Sequence, residues 1–283
     1  MAQAARLASA GVNAVTGQTS IAADRADTLH EMWEAAVRRF VGDDTGRSVL
    51  LAGDGCTVGE NADVERPGAS VLKVFVAVAA YLAAAEGQLD LHETVSVAEL
   101  PSSLNPSLLD SLSPDHRFTI GELTRLSLAA GDNRIGEHLV LLLGADRVTE
   151  IATSLGCSRT RLRVGFADEM LSVRGRANVT TVADCAIVLD ALARLPALDP
   201  LRPAMRSSLF NSRILLRMPD EIIASHKTGS LSGVVNDVGI IHAPRGDLIA
   251  CFLTDGQHDS ARTSADIGEC ARAALDAWEA CTS

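Results

Sequence analysis

The run from Ser70 to Ala85 restricts this chain more than any other segment. Apart from Ser70, Lys73 and Tyr81, every residue in it is apolar. A helix that is apolar all round must be buried on every side, so the run predicts the central helix of the fold. It nevertheless carries a lysine, and lysine is scarce here. Lys73 and Lys227 are the only two among 25 Lys and Arg residues. A codon bias towards arginine explains the scarcity but not the positions that survive. Arginine stays charged at every accessible pH, whereas a buried lysine can lose its proton and act as a base.

Ser70 precedes Lys73 by three residues, which puts both on one helix face. A helix beginning at Ser70 favours negative charge on the serine oxygen and disfavours a protonated lysine. Burial among Val74, Phe75 and Val76 pushes the amine pKa down further. A neutral amine beside a hydroxyl is an activated nucleophile that needs no histidine. A Ser-x-x-Lys match alone arises by chance in many helices, so the rest of the chain has to be consulted.

Residues 27–41 place Leu29, Met32, Trp33, Val37 and Phe40 on one helical face. Ser48–Ala52 reads as a strand, and Thr57–Gly68 as polar and turn-rich. The middle is helical. Thr119 and Glu122 form a capping-box pattern ahead of Leu123, Leu126 and Leu128. Asn133–Leu143 is a helix with Ile135, Leu139 and Leu142 inward and Gly144 as its stop. Ala145–Leu155 and Thr181–Leu195 are two more helices, separated by an irregular loop, Arg161–Asn178, long enough to suggest function. Glu221–His226, Gly233–Ala243 and Asp247–Thr254 read as antiparallel strands. A last helix spans about Ser264–Ala280, with Ile267, Ala271, Ala274 and Trp278 inward. Residues 1–26 are expected to be a partly disordered extension. Residues 27–66 and 210–283 are expected to form one discontinuous α/β lobe, and 67–209 an inserted all-helical lobe, with the active site between them.

A net charge of −11 and a pI near 5.1 argue against nucleic-acid or anionic-membrane surfaces, which need clustered Lys and Arg. The six cysteines show no metal-ligand spacing and read as small buried hydrophobes kept reduced. No metal motif or phosphate loop occurs, so no cofactor is expected. No apolar run is long enough to span a bilayer. Met1–Ala26 lacks the charged and apolar regions of a secretory signal, so a cytoplasmic location is expected.

Two further motifs accompany Ser70 and Lys73. Lys227-Thr228-Gly229-Ser230 ends a predicted strand, where a cation, a hydroxyl and a glycine suit a carboxylate lying along a strand edge. Gly131-Asp132-Asn133 sits at a helix junction from which an amide can reach both substrate and Lys73. In order and spacing, the three motifs resemble those of class A β-lactamases and penicillin-binding proteins. The resemblance covers roughly residues 27–283. The stretch His226–Gly239 and Asn178-Val179-Thr180-Thr181 look closest to the D-alanyl-D-alanine-peptidase-like branch.

The resemblance implies an α+β fold in which an antiparallel sheet flanked by terminal helices carries the helical insertion. It implies Ser70 as the acylated nucleophile, Lys73 as its base, and an oxyanion hole made by the Ser70 and Ser230 N–H groups. Lys227, Thr228 and Ser230 would hold a substrate carboxylate, and Asn133 the substrate amide. Asp132 and Gly229 complete the substrate-binding set. The implied activity is that of a serine hydrolase or acyltransferase acting through an acyl-enzyme. Its partner would be a small-molecule or peptide-like substrate bearing a carboxylate: an amide, an ester or a β-lactam-like compound. The alternatives are a true β-lactamase or D-Ala-D-Ala carboxypeptidase, and a catalytically degenerate binding protein of the same fold.

The chain departs from the family pattern at three places. Gly131 stands where a serine passes a proton to the departing nitrogen. Phe166 stands where class A enzymes carry the glutamate that activates the deacylating water; Asp168 and Glu169, two and three residues on, are the substitutes at hand. Val235 stands where the peptidase-like branch often has an arginine for the carboxylate. Tyr81, the only tyrosine, lies on the Ser70 helix, which excludes the esterase and class C branch with its tyrosine in the middle motif. His226 is expected to be structural, since adjacent side chains on a strand face opposite ways.

Overall fold

The computed structural model describes residues 18–167 and 177–281. The first 17 residues of the expected extension, and Asp168 and Glu169, lie outside the described residues. The rest of that extension is helical: α1 spans Gln18–Val41, which starts earlier than expected because Ala22, Ala23 and Ala26 are strong helix formers. Its buried stripe is Leu29, Trp33, Ala36, Val37, Phe40 and Val41. Met32 is exposed, contrary to expectation. At 100° per residue it lies roughly 90° from the centre of that stripe.

β1 (Arg47–Gly53) and β2 (Cys56–Glu60) form a hairpin. The turn residues Asp54 and Gly55 have φ of 48° and 79°, as expected for an Asp-Gly turn matched to strand twist. β2 falls in the segment expected to be irregular, because its polar residues face solvent at the sheet edge and only Val58 is buried. The sheet is completed by β7 (Ile223–Leu231), β8 (Val234–Ala243) and β9 (Gly246–Thr254), in the order β2-β1-β9-β8-β7 with antiparallel neighbours. β7 runs through Lys227-Thr228-Gly229-Ser230 instead of stopping before it.

One sheet face is covered by α1 and α8 (Ser260–Ala280). Trp33 is fully buried there, stacks on Trp278 at 5.7 Å and donates its indole N–H to Ala274 O at 3.0 Å. The other face carries the larger apolar cluster, centred on α2 (Leu72–Ala85). Eleven of the fourteen α2 residues are buried, as the all-round apolar pattern requires. Around it lie α3 (Ile120–Ala129), α4 (Asn133–Leu143), α5 (Ala145–Ser154), α6 (Val182–Arg194) and α7 (Leu201–Arg206). The Thr119–Glu122 capping box is present. In α4 the buried stripe runs through Ile135, Gly136, Leu139, Val140 and the partly buried Leu143. Leu142, expected inward, is exposed, because it too lies roughly 90° from the stripe centre.

Residues 67–209 are mainly but not wholly helical. The strands Thr94–Ser96 (β4) and Arg117–Thr119 (β5) pair with each other. Arg66–Pro67 (β3) pairs with Val179–Thr180 (β6). No cysteine is in a disulfide, and five of the six are buried. No helix among the described residues is long and apolar enough to cross a membrane.

Removing the Trp33 side chain leaves a cavity under the sheet and removes the indole hydrogen bond to Ala274 O. Trp33→Ala is expected to cost about 3–5 kcal/mol, read as a lower denaturant midpoint with an unchanged slope. A loss below about 1 kcal/mol would show that α1 does not anchor this face.

Candidate active site

Ser70 is not the first residue of the central helix. It lies in a 3₁₀ turn, Ala69–Val71, and α2 begins at Leu72. Ala69 has φ of 48°, a left-handed conformation that non-glycine residues avoid. This kink stops the helix from extending backwards and presents Ser70 at its mouth. The turn is held from two sides: Gly68 N–H donates to Asn178 O, and Asn236 Nδ2 on β8 donates to Pro67 O at 2.8 Å.

One turn along α2, Lys73 is fully buried. Its Nζ donates to Ser70 Oγ at 2.9 Å and to Asn133 Oδ1, at the start of α4, at 2.7 Å. The Phe166 ring covers the amine, with Nζ 4.2 Å from the ring centroid. Gly136 makes this packing possible: a Cβ there would stand 2.8 Å from Lys73 Cε and 2.9 Å from Phe166 Cδ2. Phe166 itself is fixed from α4, since the Phe166 and Ala167 N–H groups donate to Glu137 Oε2 at 2.6 and 2.9 Å. Among the described residues of the loop, it is the Phe166 ring that faces Lys73.

Asp132 caps α4, accepting from the N–H groups of Arg134 and Ile135. Its other oxygen accepts from Ser107 Oγ at 2.6 Å and Leu108 N–H at 3.0 Å. The carboxylate thus ties α4 to the Ser107 turn and builds one wall of the cleft.

β7 forms the opposite wall. Gly229 lets the strand press against the nucleophile turn: a Cβ there would meet Gly68 O at 3.0 Å, Ala69 Cβ at 3.1 Å and Val71 N at 3.1 Å. Any side chain would push the strand and Ser70 apart. Lys227 is buried, and its Nζ donates to Thr228 O at 2.9 Å. Burial pushes its pKa down to about 8; Arg213 adds to the lowering and Asp237 opposes it. Ser230 is exposed at the cleft mouth. His226 is buried, bonded to Asp237 and Asn211, in keeping with a structural residue.

Arg213 was not among the expected site residues. Its buried guanidinium donates to Gly229 O at 2.8 Å, to Asn236 O, and to Ser230 Oγ at 2.5 Å. Val235, at the position where the peptidase-like branch often has an arginine, pairs with Ser230 but buries its side chain in the α1/α8 cluster. The cation beside Ser230 comes instead from the segment before a 3₁₀ turn, Ile214–Arg217. No motif surrounds Arg213, so nothing local could have marked it. Asn236 was also missed, although it anchors the nucleophile turn.

Ser70, Gly131, Asn133, Lys227, Thr228 and Ser230 line one cleft of about 430 Å³. Its mouth is apolar, with Leu108, Leu209 and Phe210 more than half or about half exposed. A larger cleft, about 610 Å³, lies between α6 and the β1/β2/β9 side of the sheet and contains none of these groups. Among the described residues no cluster of His, Cys, Asp and Glu is arranged to hold a metal ion. The arrangement supplies a hydroxyl with an amine in contact, and across the cleft a strand edge with a cation and two hydroxyls. A hydroxyl with an amine in contact is a set suited to nucleophilic attack on a carbonyl.

The model of the β-lactamase enzyme family matches residues 29–278. No curated protein matches the sequence. Among solved structures, a β-lactamase from Sphaerobacter thermophilus is 25% identical, with a TM-score of 0.77, covering 88% of this chain and 98% of its own. A class A β-lactamase from Bacteroides cellulosilyticus is 22% identical, with a TM-score of 0.78, covering 89% and 99%. PBP-A is 20% identical, with a TM-score of 0.75, covering 90% and 96%; a variant of it has been solved as an acyl-enzyme complex with penicillin G. From the match over residues 29–278 and the shared fold, the chain belongs to the β-lactamase enzyme family of serine hydrolases.

Proposed function

We propose that this protein is a serine hydrolase or acyltransferase that works through an acyl-enzyme on Ser70 and releases it slowly. The observation that carries this reading is the position of Lys73 Nζ, buried and within 2.9 Å of Ser70 Oγ and 2.7 Å of Asn133 Oδ1. In the reactive state the neutral amine takes the Ser70 proton as Oγ bonds to the substrate carbonyl carbon. The resulting oxyanion is received by the Ser70 and Ser230 N–H groups. Collapse breaks the bond to the leaving group and leaves an ester on Ser70. The substrate carboxylate rests on Lys227, Thr228 and Ser230, with Arg213 behind Ser230. Asn133 orients the substrate amide. Asp132 positions the wall through the α4 cap.

Deacylation needs a base that activates water near the ester. Phe166 lies over Lys73 where that base would stand, so hydrolysis of the acyl-enzyme is slow. The substrate is a small carboxylate-bearing amide, ester, thioester or β-lactam-like molecule. The second reading, a D-Ala-D-Ala carboxypeptidase, rests on the resemblance of His226–Gly239 to the peptidase-like branch, and it predicts turnover of a D-Ala-D-Ala peptide without a persistent adduct.

Incubation with a penicillin, a D-Ala-D-Ala peptide and a thioester, followed by intact mass over time, is expected to give a persistent adduct on Ser70 with at least one of them. Ser70→Ala is expected to give none. Absence of both adduct and product with every donor would overturn the reading in favour of a binding protein. Phe166→Glu is expected to speed loss of the adduct by on the order of 100-fold, the usual contribution of a positioned general base. An unchanged adduct lifetime in a variant that still acylates would show that Phe166 does not set the slow step.

A further inference from the structure

We infer that Lys227 is the general acid that protonates the departing atom of the substrate, in place of the hydroxyl that Gly131 lacks. This rests on the acyl-enzyme reading above and concerns the step in which the leaving group separates. A leaving thiolate or activated oxyanion can depart unprotonated, whereas an amine cannot. An enzyme acting on amides therefore needs a proton beside the departing nitrogen.

The geometry supplies one at Gly131. This residue turns the chain between α3 and α4 with φ of 68°. A Cβ built on it would lie 3.3 Å from Lys227 Nζ and 3.4 Å from Phe210 Cε2. The space a side chain at 131 would take is thus bounded on one side by an amine and on the other by an aromatic edge. Lys227, Gly131 and Ser70 line the same cleft, so a leaving atom bonded to the carbon under attack departs into this space.

The amine is equipped for the step. It donates one hydrogen bond, to Thr228 O, and an ammonium has three N–H groups. The charged groups that face it are Asp237 from β8 and Arg213 from the segment before the Ile214–Arg217 turn; Asp132 on the cleft wall is committed to the α4 cap and the Ser107 turn. A pKa near 8 keeps Lys227 protonated at neutral pH and matches a general acid to that range. Lys73 is held away from this space by Asn133 and the Phe166 ring. A serine hydroxyl such as Ser230 would need a further group to replace its proton, whereas the ammonium carries its own.

The step balances without a co-reactant. Ser70 O–H gives its proton to Lys73 and forms the bond to the carbonyl carbon. The carbon–nitrogen bond breaks, its electron pair going to nitrogen. Nitrogen takes a proton from Lys227 Nζ, and the neutral amine regains one from solvent once the product leaves.

The test uses two substrates with the same acyl group and a carboxylate in the leaving group, one an amide and one a thioester, such as an acyl-D-alanyl-D-alanine and an acyl-D-alanyl-thiolactate. Single-turnover acylation of Ser70 is followed by mass for wild type and Lys227→Arg. Arginine keeps a cation for the carboxylate but does not give up a proton. Both substrates are expected to lose whatever the altered carboxylate contact costs, and amide acylation to fall about 100-fold further than thioester acylation in Lys227→Arg. The amide rate in wild type is expected to drop above pH about 8, and that limb to be missing in the variant. Equal losses for both substrates would overturn the inference and leave Lys227 as a carboxylate anchor. Residual thioester acylation, together with an unchanged denaturation midpoint, shows that the variant is folded. If wild type is acylated by neither substrate, the acyl-enzyme reading falls first, and this inference with it.

Discussion

The structure is arranged around one buried amine. Lys73 sits in the most apolar helix of the chain, with no exposure to solvent, and burying an ammonium without partners is prohibitively costly. Ser70 Oγ and Asn133 Oδ1 accept from it, and the Phe166 ring packs over it. Each partner comes from a different part of the fold. Ser70 comes from a kinked turn tied to β8, Asn133 from the start of α4, and Phe166 from a loop pinned by Glu137. Satisfying the amine therefore fixes the relative positions of α2, α4 and the loop, and the same arrangement sets Ser70 Oγ in contact with the amine.

Absent side chains matter as much as those present. Gly229 lets β7 touch the nucleophile turn, and Gly136 lets α4 close on Lys73 and Phe166. Gly131 does the opposite, leaving a space beside Lys227 that the family pattern fills with a serine. The proposed mechanism gives the two lysines different jobs. Lys73 would take a proton from the nucleophile. Lys227 would hold the β7 edge charged and give a proton to the leaving group. Arginine can keep the charge but cannot move a proton in either place.

Most of the fold and the centre of the site were legible from periodicity and spacing. The burial of α2, the Thr119–Glu122 cap, the extent of α4, the three long strands and the inward face of α8 follow directly from the pattern of apolar residues. The errors have physical causes. Met32 and Leu142 are apolar residues on the margins of their stripes, and a periodic count does not say where a stripe ends. β2 is mostly polar because it is an edge strand. Ser70 lies in a 3₁₀ turn because Ala69 adopts a left-handed conformation, which no residue type announces when it is not glycine. Arg213 and Asn236 act through contacts with β7 and with the segment before Ser70, made across the fold, so no local motif marks them.

In the proposed reading the acylating set is Ser70, Lys73 and Asn133, and Phe166 lies over Lys73 at the place where the family resemblance puts the deacylating carboxylate. The central claim is that Lys73 acts by losing a proton, not by its charge. Lys73→Arg separates the two, because arginine keeps a cation at that position and cannot become a base. The decisive measurement is the rate of Ser70 acylation by a thioester in this variant, with folding verified by its denaturation midpoint. The account predicts a loss of on the order of 1000-fold, within the range for a removed general base. A folded Lys73→Arg protein that acylates within about tenfold of wild type would contradict it.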